Sequence, residues 1–460
     1  MRLSSEPSPP RPATIASHSA GHGDAGSASD SLGTAFAGVF GLLLGLGLLK
    51  FGNPVVLDHL VDLPKTAEEW RVFSWPVRIG QFGLLAVSLI GLAFLSSLKN
   101  RSPRAPIPLL MLLGGWLLWQ FVASLPSIDP PISRLILIHF VCLTACFGLG
   151  HWALSRVAEP RIFWMCLILA FLAVLVFGIE QRLGGLEATR KIILEGPNAA
   201  QLPPEYLARI RSNRVFATLV YPNALAGAIL LLLPPTVLLA GRWGLRWGIP
   251  GQRTAGLIAG AVALLVLVWS GSKAGWLIAM GIALLMLFSA PIPLRLRLGI
   301  ATAFAALGLV AFGVVFREKL AQGPTSAVAR MDYWSAAWKG FAERPVIGQG
   351  PGAFKRVYAR VKRPESEMAQ LTHNDFLQQA TDSGFPGFLS YSGFVLGSLG
   401  WLYRKRNETP PQARDPLVTA VGLGLLAWFT HGLVEFGLYI PATSWCAFAL
   451  LGWALARVRS

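Results

Sequence analysis

Leu371-Thr372-His373-Asn374-Asp375-Phe376-Leu377-Gln378-Gln379 runs on, through Gly384-Phe385-Pro386-Gly387-Phe388, into an apolar stretch long enough to cross a bilayer. The junction sets an imidazole, an amide and a carboxylate side by side at the brink of a hydrophobic span. The same alternation of polar loop and apolar run repeats along the chain. Hydrophobic residues make up 53% of the 460 residues and charged residues only 14%, where a soluble domain carries about 25% charge. A crossing takes roughly 20 mainly apolar residues. Twelve stretches approach that: 32–49, 79–97, 106–125, 132–154, 162–179, 215–240, 254–270, 274–290, 299–315, 384–402, 416–435 and 439–456. The expected fold is all-α, a polytopic membrane protein of about 12 transmembrane helices with a large periplasmic loop containing short helices.

The formal net charge of +17 would suggest a nucleic-acid partner in a soluble protein. Its distribution points to topology instead. Lys99, Arg101 and Arg104 follow the second span, Arg156 and Arg161 the fourth, and Arg242, Arg246 and Arg253 the sixth. Arg295 and Arg297 follow the eighth, Arg404, Lys405, Arg406 and Arg414 the tenth, and Arg457 and Arg459 the last. If the spans alternate, all of these lie on one side, which the positive-inside rule makes the cytoplasm. Nucleic acid is therefore not an expected partner; membrane lipids are. The chain divides into a disordered cytoplasmic tail (1–31), a bundle of the first nine spans (32–315), a periplasmic loop domain (316–383) and a bundle of the last three (384–460). The tail is rich in Ser, Pro, Ala and Gly and lacks the apolar core of a cleavable signal; its His18 and His22 do not make a metal site. Cys142, Cys146, Cys166 and Cys446 all fall inside predicted spans, where cysteine packs as a small apolar residue. They suggest neither a disulfide framework nor a metal centre.

On the outer side, residues 50–78, 180–214 and 316–383 are the segments of consequence. In the last, Met331, Trp334, Trp338 and Phe341 recur at helical spacing. The stripe fits a helix along the membrane surface and equally a helix packed into the loop domain. Gly348, Gly350 and Gly352 lack phosphate-loop spacing and read as a turn. A second helix is expected from Glu365 to Asp382, with His373, Phe376, Leu377 and Ala380 on one face. Arg214, Lys273, Arg330 and His373 then converge on the outer face. Arg214 and Lys273 run against the positive-inside bias, which marks them as candidate ligands for an anion, and a guanidinium suits phosphate oxygens. His431 and Glu435, one turn apart near the outer end of the eleventh span, form an ionisable pair for which a possible acceptor site and a structural hydrogen bond are both open.

These pieces resemble the O-antigen ligase and O-antigen polymerase family of integral membrane glycosyltransferases. The matching elements are Arg214…Phe216…Pro222-Asn223, then Ser270-Gly271-Ser272-Lys273, then Arg330…Trp334…Pro345…Gly348-Gln349-Gly350…His373-Asn374…Leu377…Gly384…Gly387. Together they cover roughly residues 210–400. The chain departs from the family pattern at Lys273, where arginine is common, and at Asp382, where glutamate is. The resemblance implies transfer of a glycan from undecaprenyl pyrophosphate to an acceptor hydroxyl, either on lipid A-core or on a growing polysaccharide. Arg214 and Arg330 would hold the pyrophosphate with Lys273 assisting. His373 would activate the hydroxyl with Asn374 orienting nearby groups. No cofactor and no metal are implied. The chain has no Asp-x-Asp motif, so a metal-held nucleotide sugar is not the expected donor. The implied location is the bacterial inner membrane with the site facing the periplasm.

Two other classes remain as alternatives. A flippase or transporter should show internal repeats and helices broken at mid-membrane, whereas here the polar residues gather at one end of the bundle. A glycosyltransferase of the dolichol-sugar type would use Asp58 or Asp62 as base. The alternating basic loops make a direct prediction. A reporter fused after Arg406 is cytoplasmic and one near Glu367 periplasmic; finding both on one side would overturn the span count.

Overall fold

The computed structural model describes residues 23–98, 106–195, 207, 212–289, 292–315, 317, 325–364 and 366–458. Helix α1 spans Gly23–Lys50, and the short α2, Ala67–Val72, lies in the first outer segment. The next spans are α3 Val77–Ser97, α4 Ile107–Ser124, α5 Pro130–Gly148 and α6 Arg161–Glu180, followed by the short α7, Leu186–Leu194. Then come α8 Pro222–Gly244, α9 Gly248–Ser270, α10 Lys273–Phe288 and α11 Leu294–Val315. The long loop before the last three helices holds α12 Thr325–Glu343 and α13 Phe354–Val361, and the chain ends with α14 Asp375–Glu408, α15 Pro416–His431 and α16 Pro441–Arg457. The described residues are all-helical, and seven helical stretches are long and apolar enough to cross a membrane, one of them the 49-residue α8–α9 run. A helix satisfies its own backbone donors and acceptors, which hydrocarbon cannot do. That is why a chain of this composition has little alternative to helices.

The bundle is organised around α16, which is buried without a break from Pro441 to Leu455. It packs against α1, α5, α8, α14 and α15. Small residues allow these crossings. A Cβ on Gly452 would collide with the Phe147 carbonyl oxygen, and one on Gly150 with that of Ala449. Between apolar helices in lipid, such close backbone approach supplies the contact energy that hydrophobic exclusion supplies in water. At the periphery, α11 has none of its span buried.

Segments that the sequence places on the outer side are bonded to one another. The Ile128 N–H donates to Gln349 O at 3.0 Å, Ala442 to Phe51 at 3.1 Å and Val215 to Trp269 at 3.1 Å. The Thr218 hydroxyl donates to Leu48 O at 2.7 Å. At the other end, Arg457 meets Asp415 at 4.0 Å.

Several boundaries differ from expectation. Residues 23–31, read as tail, are helical and continue α1, because Ala and Ser with no proline there do not stop a helix; residues 1–22, with His18 and His22, lie outside the described residues, as do Lys99, Arg101, Arg104 and Arg459. The sixth span begins at Pro222 rather than 215, proline serving as first helical residue. The eleventh ends at His431, so Glu435 lies in the turn beyond. The helix expected from Glu365 starts instead at Asp375, and Glu365 is outside the described residues. The stripe on α12 is divided: Met331 and Trp338 are 63% and 62% exposed, Trp334 and Phe341 are half-buried, and Ala336 and Ala337 pack inward. All four cysteines are free.

The α5–α16 crossing is directly testable. Gly452→Ala drives a methyl into a backbone oxygen and should destabilise the detergent-solubilised protein by about 1–3 kcal/mol. Gly422→Ala, in α15 with nothing within 4 Å, should not. Equal melting temperatures for the two variants would contradict this packing.

Candidate active site

The centre of the site is a carboxylate. Glu435, 4% exposed, lies in the turn between α15 and α16. Its Oε1 receives the Arg330 Nη2 and the Asn223 side-chain amide, and its Oε2 faces His373 Nδ1 at 3.3 Å. Arg330 also donates from Nε to the Val434 carbonyl at 3.0 Å. Asn223, in the first turn of α8, accepts from Arg214 Nη2 at 2.7 Å, and Arg214 Nε donates to Ser270 O at 2.8 Å. Arg214, Asn223, Arg330, His373 and Glu435, from four distant parts of the sequence, thus form one chain of polar contacts.

Burial alone would raise the Glu435 carboxyl. The hydrogen bond from His373, with the charges of His373, Arg330 and His431, outweighs that and holds it at about 2. An ionised carboxylate only accepts, so His373 Nδ1 carries the proton shared with it. The opposite nitrogen, Nε2, is then the one able to take a proton. The ring is framed by Tyr333, stacked at 5.6 Å, and Phe436, edge-on at 4.6 Å.

The local backbone explains the presentation of His373. The Thr372 hydroxyl accepts from Asn374 N and donates to Asn374 O, closing a tight turn. His373 inside it has φ +53°, a left-handed conformation histidine adopts more readily than most residues. Asn374 caps α14, its Oδ1 accepting from Leu377 N at 2.9 Å. His373 therefore precedes the helix and does not share a face with Phe376, Leu377 and Ala380 as the spacing implied.

The Gly348-Gln349-Gly350 turn is spoken for. Gln349 N and Gly350 N donate to Thr381 O and Asp382 O, and Gly352 N to Asp382 Oδ2 at 2.8 Å. Asp382, fully buried, also accepts from Gln378 Nε2 at 2.8 Å and the Tyr439 hydroxyl at 3.0 Å. These N–H groups dock the loop on the Ser383–Gly384 kink of α14 and are not offered to a phosphate.

Lys273 occupies the first turn of α10, behind the Ser272 cap. Arg214 is anchored to Ser270 at the end of α9, three residues before Lys273. Among the described residues no hydrogen bond joins His431 to Glu435. His431 is buried, its Nε2 without a partner among the described residues, and it lines a small pocket with Asn223 and Glu435. Sequence reasoning quoted Asn223 without a role and treated Glu435 as an accessory; the available signal was an acid at a span end.

Residues 258–392 match the family model described as O-Antigen ligase. The match includes Lys273, Arg330, His373 and Asn374, and supports the O-antigen ligase/polymerase family read from the motifs. No significant match to a curated protein accompanies it.

Glu435→Gln should lower stability at pH 7 by about 3 kcal/mol, as breaking a buried ion pair does. A carboxyl held at about 2 against an ordinary 4.5 contributes fully above about pH 4.5 and loses its contribution as pH falls toward 2. The gap between wild type and variant should stay constant from pH 8 to 5 and close only below that. Thermal unfolding across this range checks it, and a gap closing near neutrality would contradict the assignment.

Proposed function

We propose that this protein is a membrane glycosyltransferase that moves a glycan from undecaprenyl pyrophosphate to an acceptor hydroxyl on the periplasmic face, without a metal. The observation that carries the reading is the single polar chain linking Arg214, Arg330 and His373 through Asn223 and Glu435 at the outer end of the bundle. A lipid pyrophosphate leaves readily once its growing negative charge is neutralised, and preorganised cations do this well in a water-poor site. Arg214 and Arg330 would take that task, with Lys273 assisting from the start of α10.

His373 supplies the other half. With Nδ1–H directed at ionised Glu435, Nε2 would accept the acceptor's proton as its oxygen attacks the anomeric carbon and the pyrophosphate departs. Glu435 fixes the tautomer and stabilises the imidazolium that forms, the part a buried carboxylate plays beside a catalytic histidine. Asn374 shapes the turn that carries the ring by capping α14. The ligase reading names lipid A-core as acceptor and the polymerase reading names the growing chain; the chemistry at His373 is the same.

Two tests follow. With purified protein, lipid-linked glycan and acceptor, His373→Ala should cut transfer about 10²–10⁴-fold while leaving lipid-donor binding near wild type, and His373→Gln should not restore it. Arg214→Lys and Arg330→Lys should rescue the alanine variants poorly, because the bidentate fork is lost. Full activity of His373→Gln, or loss of wild-type activity with EDTA, would overturn the mechanism. A protein that translocates lipid-linked glycan in liposomes without forming a glycosidic bond would be a transporter. Deleting the protein in cells separates the acceptors: loss of long-chain lipopolysaccharide with lipid-linked polymer accumulating marks a ligase, and core bearing a single repeat marks a polymerase.

A further inference from the structure

Asp375 stands two residues after His373 and has no part in the chemistry above. It lies before the Ser383–Gly384 kink, outside the span read at 384–402, and is 2% exposed. Its bonds run to one place. The Asp375 N–H donates to Gly432 O at 2.7 Å, and its Oδ2 accepts from Leu438 N at 3.1 Å. Gly432 and Leu438 bracket the turn that carries Glu435. One residue therefore straps both ends of that turn to the start of α14, immediately beside the histidine.

We infer that Asp375 is a positioning residue that holds the Glu435 turn in register with His373, and so sets the contact between imidazole and carboxylate. The inference rests on the proposed role of His373. The fit is close on the other side as well: a Cβ on Gly432 would lie 2.8 Å from Asp375 Oδ2, so the turn approaches the carboxyl only because residue 432 has no side chain. Burial lifts the Asp375 carboxyl well above the ordinary range against the lowering effect of the Leu438 N–H, and the Glu435 charge pushes the same way. Asp375 Oδ1 is buried and has no partner among the described residues.

Asparagine is the informative substitution, since Asp375→Asn keeps an acceptor oxygen for the Leu438 N–H, whereas Asp375→Ala removes it. Two measurements on the full-length purified protein decide the matter. The first is amide exchange of peptides covering residues 432–440, which needs no activity. Asp375→Ala and Gly432→Ala should speed exchange there about tenfold, and Asp375→Asn should stay near wild type. The second is transfer kinetics with lipid-linked glycan. Asp375→Ala should lower kcat about 10²-fold, the cost of an ångström-scale misplacement, with the donor KM nearly unchanged and Asp375→Asn largely active. In a Glu435→Gln background, Asp375→Ala should add less than about threefold, because both act through one contact. Unchanged exchange at 432–440, additive losses with Glu435→Gln, or an asparagine variant as impaired as alanine would each overturn the proposal. If Asp375→Ala does not fold, Gly432→Ala and Asp375→Asn carry both arms. A wild type that forms no glycosidic bond would sink the functional reading, while the exchange result still tests the strap.

Discussion

A carboxylate taken out of water must be matched or it costs several kcal/mol, and that constraint at Glu435 shapes the outer end of this protein. Arg330, Asn223 and His373 all turn toward it. Each comes from a different segment, so satisfying one buried charge requires α8, α12, the turn before α14 and the turn before α16 to meet. Arg214 joins at one remove, through Asn223. The polar site is then less a pocket lined by separate residues than the compensation of one ion. That same compensation fixes which nitrogen of His373 holds its proton.

Below that layer is a second buried polar layer with a different task. Asp382 gathers donors from Gly352, Gln378 and Tyr439, and Gln378 Oε1 in turn accepts from Thr372 N at 2.8 Å. Gln379 Oε1 receives both Trp116 Nε1 and Gln120 Nε2, each at 2.8 Å. These bonds tie the loop domain and the α14 kink to α4 and to the turn before α16. In a medium that offers no water, a polar group buried without partners is expensive, so such residues occur where they are mutually satisfied. The left-handed turn at His373 is held from both sides, by Gln378 through Thr372 and by the cap at Asn374.

Much of this was legible in the sequence. Apolar length and basic loops marked the helices and their alternation, because each depends only on residues near one another in the chain. Arg214, Arg330 and His373, expected to converge, do meet through Asn223 and Glu435. The end of the eleventh span was misplaced because Val434 and Phe436 are apolar and periodicity does not register a turn stabilised by Asp375 across the structure. The helix expected from Glu365 failed similarly. The cap at Asn374 and the hydroxyl bonds of Thr372 end one conformation and start another inside a stretch whose spacing looks helical throughout.

The sequence by itself determined that the chain is a helical membrane protein with polar chemistry at one end, since transfer of apolar side chains out of water and internal satisfaction of the backbone follow from composition and order. Only the tertiary structure decided that Glu435 is the shared partner of Arg330, Asn223 and His373, that the glycine turn docks on Asp382 and offers no phosphate cradle, and that Asp375 straps the Glu435 turn. The reason is that a hydrogen bond depends on ångström distances between groups hundreds of residues apart, and no local spacing encodes them. Periodicity tells which side a helix buries; it does not tell what it meets there.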